Sequence, residues 1–369
     1  MKKFFLAAAA LLFFIPSFAK DASKGTTVPA SDSRITYVGR TLVEDGKVSF
    51  DWTGTYFRVK IKGNMLSMKV SDTKKNYYNV WVDAPMSEKP SEVITVTGKD
   101  TTIVICSLTK GKKAASHAIT VQKRTEGEQG KTTISEFTCD GEFLQAEEPK
   151  DRIIEYVGDS YTCGYGTEAS NKERFSPQTE NQNLTYACKV ARYFGADQVV
   201  IAHSGMGIIR NYNGNLTGDD MVRRYMQTFD TDKSLKWNAG ESTIKPDITV
   251  VYLCTNDFST GMQPGLRRFK QNYITLLKEI KTNYGEDYPV LMMVPKHDKM
   301  MYEYIYSVLN DCGMKNVHIM QLGPDIHDND GDMGADGHPN GLGHTKIAYS
   351  LIPYISTITG WEITENKIK

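Results

Sequence analysis

Ile153-Ile-Glu-Tyr-Val-Gly-Asp-Ser-Tyr-Thr-Cys-Gly-Tyr-Gly166 opens with a nearly continuous apolar run and passes directly into turn residues. A short run of this kind suits a strand of a parallel sheet covered by helices on both faces. Ser160 follows the strand end, with Gly158 permitting a sharp turn, so its hydroxyl is expected at the top of the sheet, where a nucleophile stands. Gly, Asp and Ser are also the commonest turn residues, and the tripeptide Gly158-Asp159-Ser160 acquires chemical meaning only from partners elsewhere in the chain.

Similar apolar runs recur downstream at 199–202, 248–253, 290–294 and 317–322. Between them Leu266, Phe269, Tyr273, Leu276, Leu277 and Ile280 keep the three-and-four spacing of one helix face, and residues 345–358 read as a closing helix. Alternating strands and helices predict a three-layer α/β domain with a parallel sheet, whose reactive groups gather at the carboxyl ends of the strands. Upstream of Asp151 the period falls to two. In Phe57-Arg-Val-Lys-Ile-Lys62 and Leu66-Ser-Met-Lys-Val70 every second residue is apolar, as a strand with one buried face requires. Comparable stretches at 77–82, 93–97, 102–106, 119–122 and 132–137, separated by polar turns, predict an all-β jelly-roll sandwich. The polar join at 147–150 contains Pro149. The expected division is therefore a β-sandwich over 20–148 and an α/β domain over 149–369.

The first 19 residues read as a signal peptide: Lys2-Lys3, an apolar run over 4–14, then Ile15-Pro-Ser-Phe-Ala19 with small residues before a cut. The apolar run is well short of the roughly 20 residues that span a bilayer, and no later segment is apolar enough to do so. Export to the periplasm or the extracellular space is expected, without stable membrane insertion and, since no Cys follows the cut, without a lipid anchor. The 369 residues hold 44 Lys+Arg against 44 Asp+Glu, which leaves no electrostatic footprint for nucleic acid. Six scattered cysteines (106, 139, 163, 188, 254 and 312) give neither a zinc spacing nor a readable disulfide pattern. The acidic stretch 325–332 fails the EF-hand pattern, with Gly331 fourth from Asp328 and no Glu at the twelfth position, so it reads as a solvated loop. No metal or organic cofactor is expected.

A serine hydroxyl needs a base, usually a histidine, itself oriented by an acceptor. Of seven histidines, His338 has the best context: Asp336-Gly-His-Pro-Asn340 follows the last strand and precedes the closing helix, on the same sheet edge as Ser160. Two further strand ends offer donors for an oxyanion, His203-Ser204-Gly205 and Thr255-Asn256-Asp257. Each cluster alone is ordinary turn chemistry. Four of them on one face point to a site.

The order Gly158-Asp159-Ser160, Gly205, Asn256, His338 resembles the SGNH (GDSL-type) hydrolase superfamily. The longer segment 158–168, with Phe175-Ser-Pro177 and Thr179-Glu-Asn181, resembles carbohydrate esterase family 2, which pairs an N-terminal jelly roll with a C-terminal SGNH domain. The resemblance covers essentially the whole mature chain. It implies Ser160 as nucleophile, His338 as base, and oxyanion donors at the Ser160 and Gly205 backbones and the Asn256 side chain. This chain departs from the superfamily pattern twice. Cys254 stands where many members have Gly, and Ala335 stands where the triad acid usually lies, three residues before the histidine. Asp336, two residues before it, is the candidate orienter, either through its carboxylate or through a backbone carbonyl of the loop. Tyr161, Tyr165 and Phe175 lie near the nucleophile, and Tyr165 is a candidate platform for a sugar face. The implied activity is hydrolysis of O-acetyl esters on xylan, glucomannan or their oligosaccharides, without cofactor. The alternatives are a carbohydrate-binding protein without catalysis and an SGNH esterase for bacterial glycan or lipid esters.

Overall fold

The computed structural model describes residues 25–108, 115–216, 218–296, 298–323, 329–365 and 368. The expected signal peptide, residues 325–328 of the acidic stretch, His297 and His327 lie outside the described residues.

The period-two region forms two antiparallel six-stranded sheets packed as a sandwich. One sheet runs Leu42–Glu44, Lys47–Phe50, Thr132–Cys139, Met65–Asp72 and Thr101–Ser107, with Thr26–Pro29 paired to Thr132–Cys139. The other runs Glu142–Leu144, Tyr56–Lys62, Ser116–Lys123, Lys75–Val82 and Glu92–Thr97, with Thr36–Val38 paired to Tyr56–Lys62. The alternating residues of both inner faces, among them Phe57, Val59, Ile61, Met68, Val70, Val121 and Phe137, form one buried core. Every strand expected from alternation is present. The strands at 26–29, 36–38, 42–44, 47–50 and 142–144 were not expected, because three or four residues are too few to display a period.

The second half is a parallel sheet ordered Asp197–Ala202, Ile153–Gly158, Ile248–Tyr252, Val290–Val294, Val317–Gln321. Its strand residues alternate between two cores. Ile154, Tyr156 and Val250 pack with helices Tyr186–Tyr193 and Gly341–Thr359, whereas Ile153, Val157 and Val251 pack with helices Leu266–Tyr284 and Lys299–Cys312. The closing helix starts at Gly341, earlier than its apolar pattern suggests, because the Asn340 side chain caps it by accepting from the Leu342 and Gly343 amides. A hairpin, Gln227–Phe229 with Asp232–Lys236, is a further addition that its largely polar second strand conceals in the sequence. Among the described residues no helix is long and apolar enough to cross a membrane.

The chain leaves the strand Ile153–Gly158 toward one neighbour, Asp197–Ala202, and then returns across it to Ile248–Tyr252. In an open α/β sheet this reversal opens a crevice at the carboxyl ends of the two diverging strands. Ser160 lies at that point.

The sandwich and the α/β layers share a core. Val38, Trp52 and Tyr56 of the sandwich pack in the same cluster as Val199, Ile201, Met221 and Tyr225. The Trp52 indole N–H donates to the Thr228 carbonyl at 3.0 Å, and Asp51 accepts from the Asp230 and Thr231 amides at 2.7 and 3.1 Å. Trp52 is fully buried. Truncating such a side chain removes its apolar burial and leaves a cavity, so Trp52→Ala is expected to destabilise the protein by about 3–5 kcal/mol, read by denaturant unfolding.

Candidate active site

The strand Ile153–Gly158 stops at Gly158 because the next turn folds tightly over it. A Cβ added there would lie 2.0 Å from Thr162 Oγ1. Asp159 caps the short helix Ser160–Cys163, accepting from the Tyr161 amide at 3.2 Å, and Gly164 at φ 87° ends it. Ser160 is thus the first residue of a helix, where the amide has no acceptor within the helix. Its Oγ lies 2.8 Å from His338 Nε2. Burial pushes the His338 imidazole down to about 4, against the weaker opposing pull of the Asp336 and Ala335 backbones.

The Asp336 carboxylate does not touch the imidazole. His338 Nδ1 faces the Asp336 backbone carbonyl at 3.3 Å. The carboxylate is engaged on its other side by the Phe175 amide at 2.9 Å, Arg174 at 3.1 Å and the Tyr165 hydroxyl at 3.5 Å. The Phe175 amide first, then Arg174, hold it below the usual carboxylate range. The reason is local: Asp336 occupies the left-handed region at φ 49°, ψ 37°, within the turn Ala335–Gly337. Of the two orienting groups open in the sequence, only the carbonyl is within reach.

The same loop explains Ala335. Its side chain is fully buried, and a Cβ built on Gly166 would lie 2.4 Å from the Ala335 Cβ. The Gly166 carbonyl also accepts from the Ala335 amide at 3.3 Å. The loop carrying His338 is therefore seated on Gly166, with the small Ala335 side chain buried where the superfamily pattern has its acid.

The other two blocks lie at the neighbouring strand ends. Gly205 adopts φ 78°, and its carbonyl accepts from the Tyr212 amide at 2.8 Å. Asn256 Nδ2 lies 2.9 Å from the Met206 carbonyl and 3.2 Å from Asp159 Oδ2. That tethers the second and third blocks to the serine turn and commits the amide's hydrogens to protein acceptors. Among the described residues, the Ser160 and Gly205 amides have no acceptor, so they are the free donors of the group. Cys254 accounts for the superfamily's glycine at its position: it sits at φ 110°, a conformation that strains any residue with a side chain. Burial pushes Asp159 up to about 7.

Tyr165 departs from expectation. Its ring packs between Phe175, with centroids 4.0 Å apart and planes at 19°, and His338, with centroids 4.3 Å apart. Both faces are taken by protein, so Tyr165 has an edge and a hydroxyl rather than a face to offer a sugar. Of the other described histidines, His117 pairs with Asp83 and His203 with Asp230; His318 meets Asn316 and His344 accepts from the Tyr186 amide. None approaches Ser160.

Sequence reasoning missed two supports of the site. Asp257 accepts from the Ile208, Ile209 and Arg210 amides at 2.8 to 3.0 Å, so the third block grips the chain that follows the second. Its position beside Asn256 was the only hint. Glu126, from the end of the sandwich, reaches beneath the site with no signal in the sequence at all. One oxygen or sulfur each from Glu126, Cys163 and Glu180, all buried, lie within 4.8 Å of one another, which is the one group among the described residues that could converge on a cation. Gly166 is the sharpest test of the seating. At φ 61°, with Ala335 beneath it, Gly166→Ala is expected to cost about 1–3 kcal/mol in stability and to lower kcat/KM about tenfold or more by displacing the histidine loop, measured by unfolding and by ester hydrolysis.

The comparisons with known proteins come to the same place. Residues 37–147 match the model described as Carbohydrate esterase 2 N-terminal, and residues 156–346, more than half of the chain, match the GDSL-like Lipase/Acylhydrolase family. The chain is 27% identical over 340 residues to an acetylxylan esterase / glucomannan deacetylase of Cellvibrio japonicus, covering 87% of this chain and 90% of that protein. It is 29% identical over 319 residues to the cellulase/esterase CelE of Acetivibrio thermocellus, covering 84% of this chain but only 38% of CelE. The structure of a family two carbohydrate esterase from Clostridium thermocellum in complex with cellohexaose superposes with a TM-score of 0.79 at 28% identity, over 89% of this chain and all of that one. With a GDSL-type serine turn beneath a matching N-terminal sandwich, this chain belongs to the GDSL-like lipase/acylhydrolase family and, within it, to carbohydrate esterase family 2.

Proposed function

We propose that the protein is an exported serine esterase that removes O-acetyl groups from carbohydrate through an acetyl-Ser160 intermediate. The observation that carries this reading is the 2.8 Å hydrogen bond between Ser160 Oγ and His338 Nε2 at the switch point of the sheet. In the free enzyme His338 Nδ1–H donates to the Asp336 carbonyl, leaving Nε2 unprotonated as the acceptor of the serine proton. Ser160 attacks the acetyl carbonyl as His338 takes its proton. The amides of Ser160 and Gly205 receive the oxyanion, and Asn256, already held by Met206 and Asp159, keeps their two turns in register. The imidazolium then protonates the departing sugar oxygen, and a water activated by the same histidine releases acetate. A carbonyl stabilises that imidazolium less than a carboxylate does, which makes the arrangement a dyad supported by the loop backbone.

The names of the relatives support carbohydrate as the alcohol component: an acetylxylan esterase / glucomannan deacetylase, and an esterase structure holding cellohexaose. Acetylated xylan, glucomannan or their oligosaccharides are the proposed substrates. Export rests on Lys2-Lys3 and the apolar run that follows.

The deciding experiment is acetate release from acetylated xylan and glucomannan, with 4-nitrophenyl acetate as a sugar-free control. Ser160→Ala is expected to lower kcat by at least about a thousandfold while the protein stays folded; a variant as active as wild type would remove the serine mechanism. The pH profile supplies a second test. Neutral His338 is the active form, so activity is lost as pH falls through its folded value, which burial sets at about 4. The acid limb of kcat/KM is expected near that value rather than near the ordinary histidine value of about 6.5, with most of the activity retained at about pH 5.5.

A further inference from the structure

Four residues leaving the sandwich strand Ser116–Lys123 pass beneath the site. Lys123, Arg124, Thr125 and Glu126 are all at most 4% exposed. The backbone of this segment is tied to the α/β half, with the Gln182 amide donating to the Arg124 carbonyl at 3.1 Å and Arg124 Nε donating to the Glu180 carbonyl at 3.3 Å. Its last side chain goes further. Glu126 Oε2 accepts from the Ser204 amide at 2.6 Å and from the Cys163 thiol at 3.5 Å.

Those two donors sit on the two elements that carry the free oxyanion amides. Cys163 ends the helix that Ser160 begins, and Ser204 immediately precedes Gly205. The helix and the turn follow neighbouring strands, whose ends are joined by the His203 amide donating to the Gly158 carbonyl at 3.3 Å; among the described residues no backbone hydrogen bond joins the helix itself to Ser204 or Gly205. One carboxyl oxygen receives a hydrogen bond from each. We propose that Glu126 is a positioning residue for the oxyanion site: the sandwich inserts it beneath the sheet edge to fix the spacing between the Ser160 and Gly205 amides. Glu180 completes the arrangement. It is fully buried and lies beside Glu126 and Cys163, and burial first and Glu126 second push it well above the usual carboxylate range.

The role has a kinetic signature. Misaligned oxyanion donors weaken transition-state binding while leaving ground-state binding largely intact. Glu126→Ala is expected to lower kcat for 4-nitrophenyl acetate by about 10- to 100-fold with KM within about threefold. The affinity for a small alkylboronic acid, whose serine adduct mimics the tetrahedral oxyanion, is expected to fall by the same factor as kcat. Glu126→Gln keeps an acceptor for the Ser204 amide and is expected to recover most of both losses. Purified wild-type protein is assayed for bound metal alongside.

The inference rests on the serine-esterase reading, and the two fail separately. Activity surviving in Ser160→Ala removes the reading itself, whereas an inactive Ser160→Ala beside a Glu126→Ala of wild-type kcat removes only the positioning role. A fall in kcat with unchanged boronate affinity overturns the role too, because that is the mark of a smaller folded fraction. Stoichiometric metal lost on substitution of Glu126 would make the carboxyl a ligand and also overturn it. Should Glu126→Ala fail to fold, Glu126→Met, which fills the space but cannot accept from the Ser204 amide, decides: parallel losses in kcat and boronate affinity of about threefold or more uphold the role, and wild-type values for both overturn it.

Discussion

The hydrogen bond between Ser160 and His338 joins groups 178 residues apart, and much of the α/β half is arranged so that it can form. A serine at the end of a middle strand and a histidine beyond the last strand meet only if the strands are parallel and in register, so that their carboxyl ends form one edge. The sheet order provides that edge, and the reversal of direction at Ile153–Gly158 opens it. Burial of the imidazole then keeps it neutral, which is the state in which Nε2 can accept the serine proton.

Asp336 meets the surroundings of the imidazole from two sides. Its carbonyl faces Nδ1, while its carboxylate holds the Phe175 amide, and Phe175 stacks on the Tyr165 ring that packs against the imidazole. The ion pair with Arg174 adds little to this, because the Arg174 side chain is 93% exposed and an exposed pair is screened by water. The contacts of the imidazole on this side are with the loop backbone and the ring stack. Ala335, at the position of the superfamily's usual acid, is buried and packs closely on Gly166, so the departure from the superfamily pattern and the seating of the loop coincide.

The sandwich is not an appendage to this site. It shares a hydrophobic core with the α/β layers through Trp52 and Tyr56. Its buried polar groups find partners across the junction, as in Asp51 with the Asp230 amide, Asn79 with Asn181, and Gln122 with Gln182. An unpaired buried polar group is costly, so each such contact favours one placement of one half against the other. The second block inherits that placement, since Asp230 also holds His203, the neighbour of Ser204.

By itself the sequence determined the two architectures, since period-two alternation and double-faced apolar runs are local consequences of where a strand buries its side chains. It also placed the candidate residues at strand ends: Ser160, Gly205, Asn256 and His338 all lie in turns directly after apolar runs or before a capped helix. Tertiary structure alone decided which group of Asp336 faces His338, because a carboxylate two residues away and a carbonyl two residues away are indistinguishable until the φ of Asp336 is known. It decided that Tyr165 covers the imidazole instead of facing solvent, and that Glu126, 34 residues before Ser160 in sequence, reaches Cys163 and Ser204. Periodicity records only whether a side chain is buried. The identity of its neighbour depends on how the two halves dock, and no local pattern encodes that.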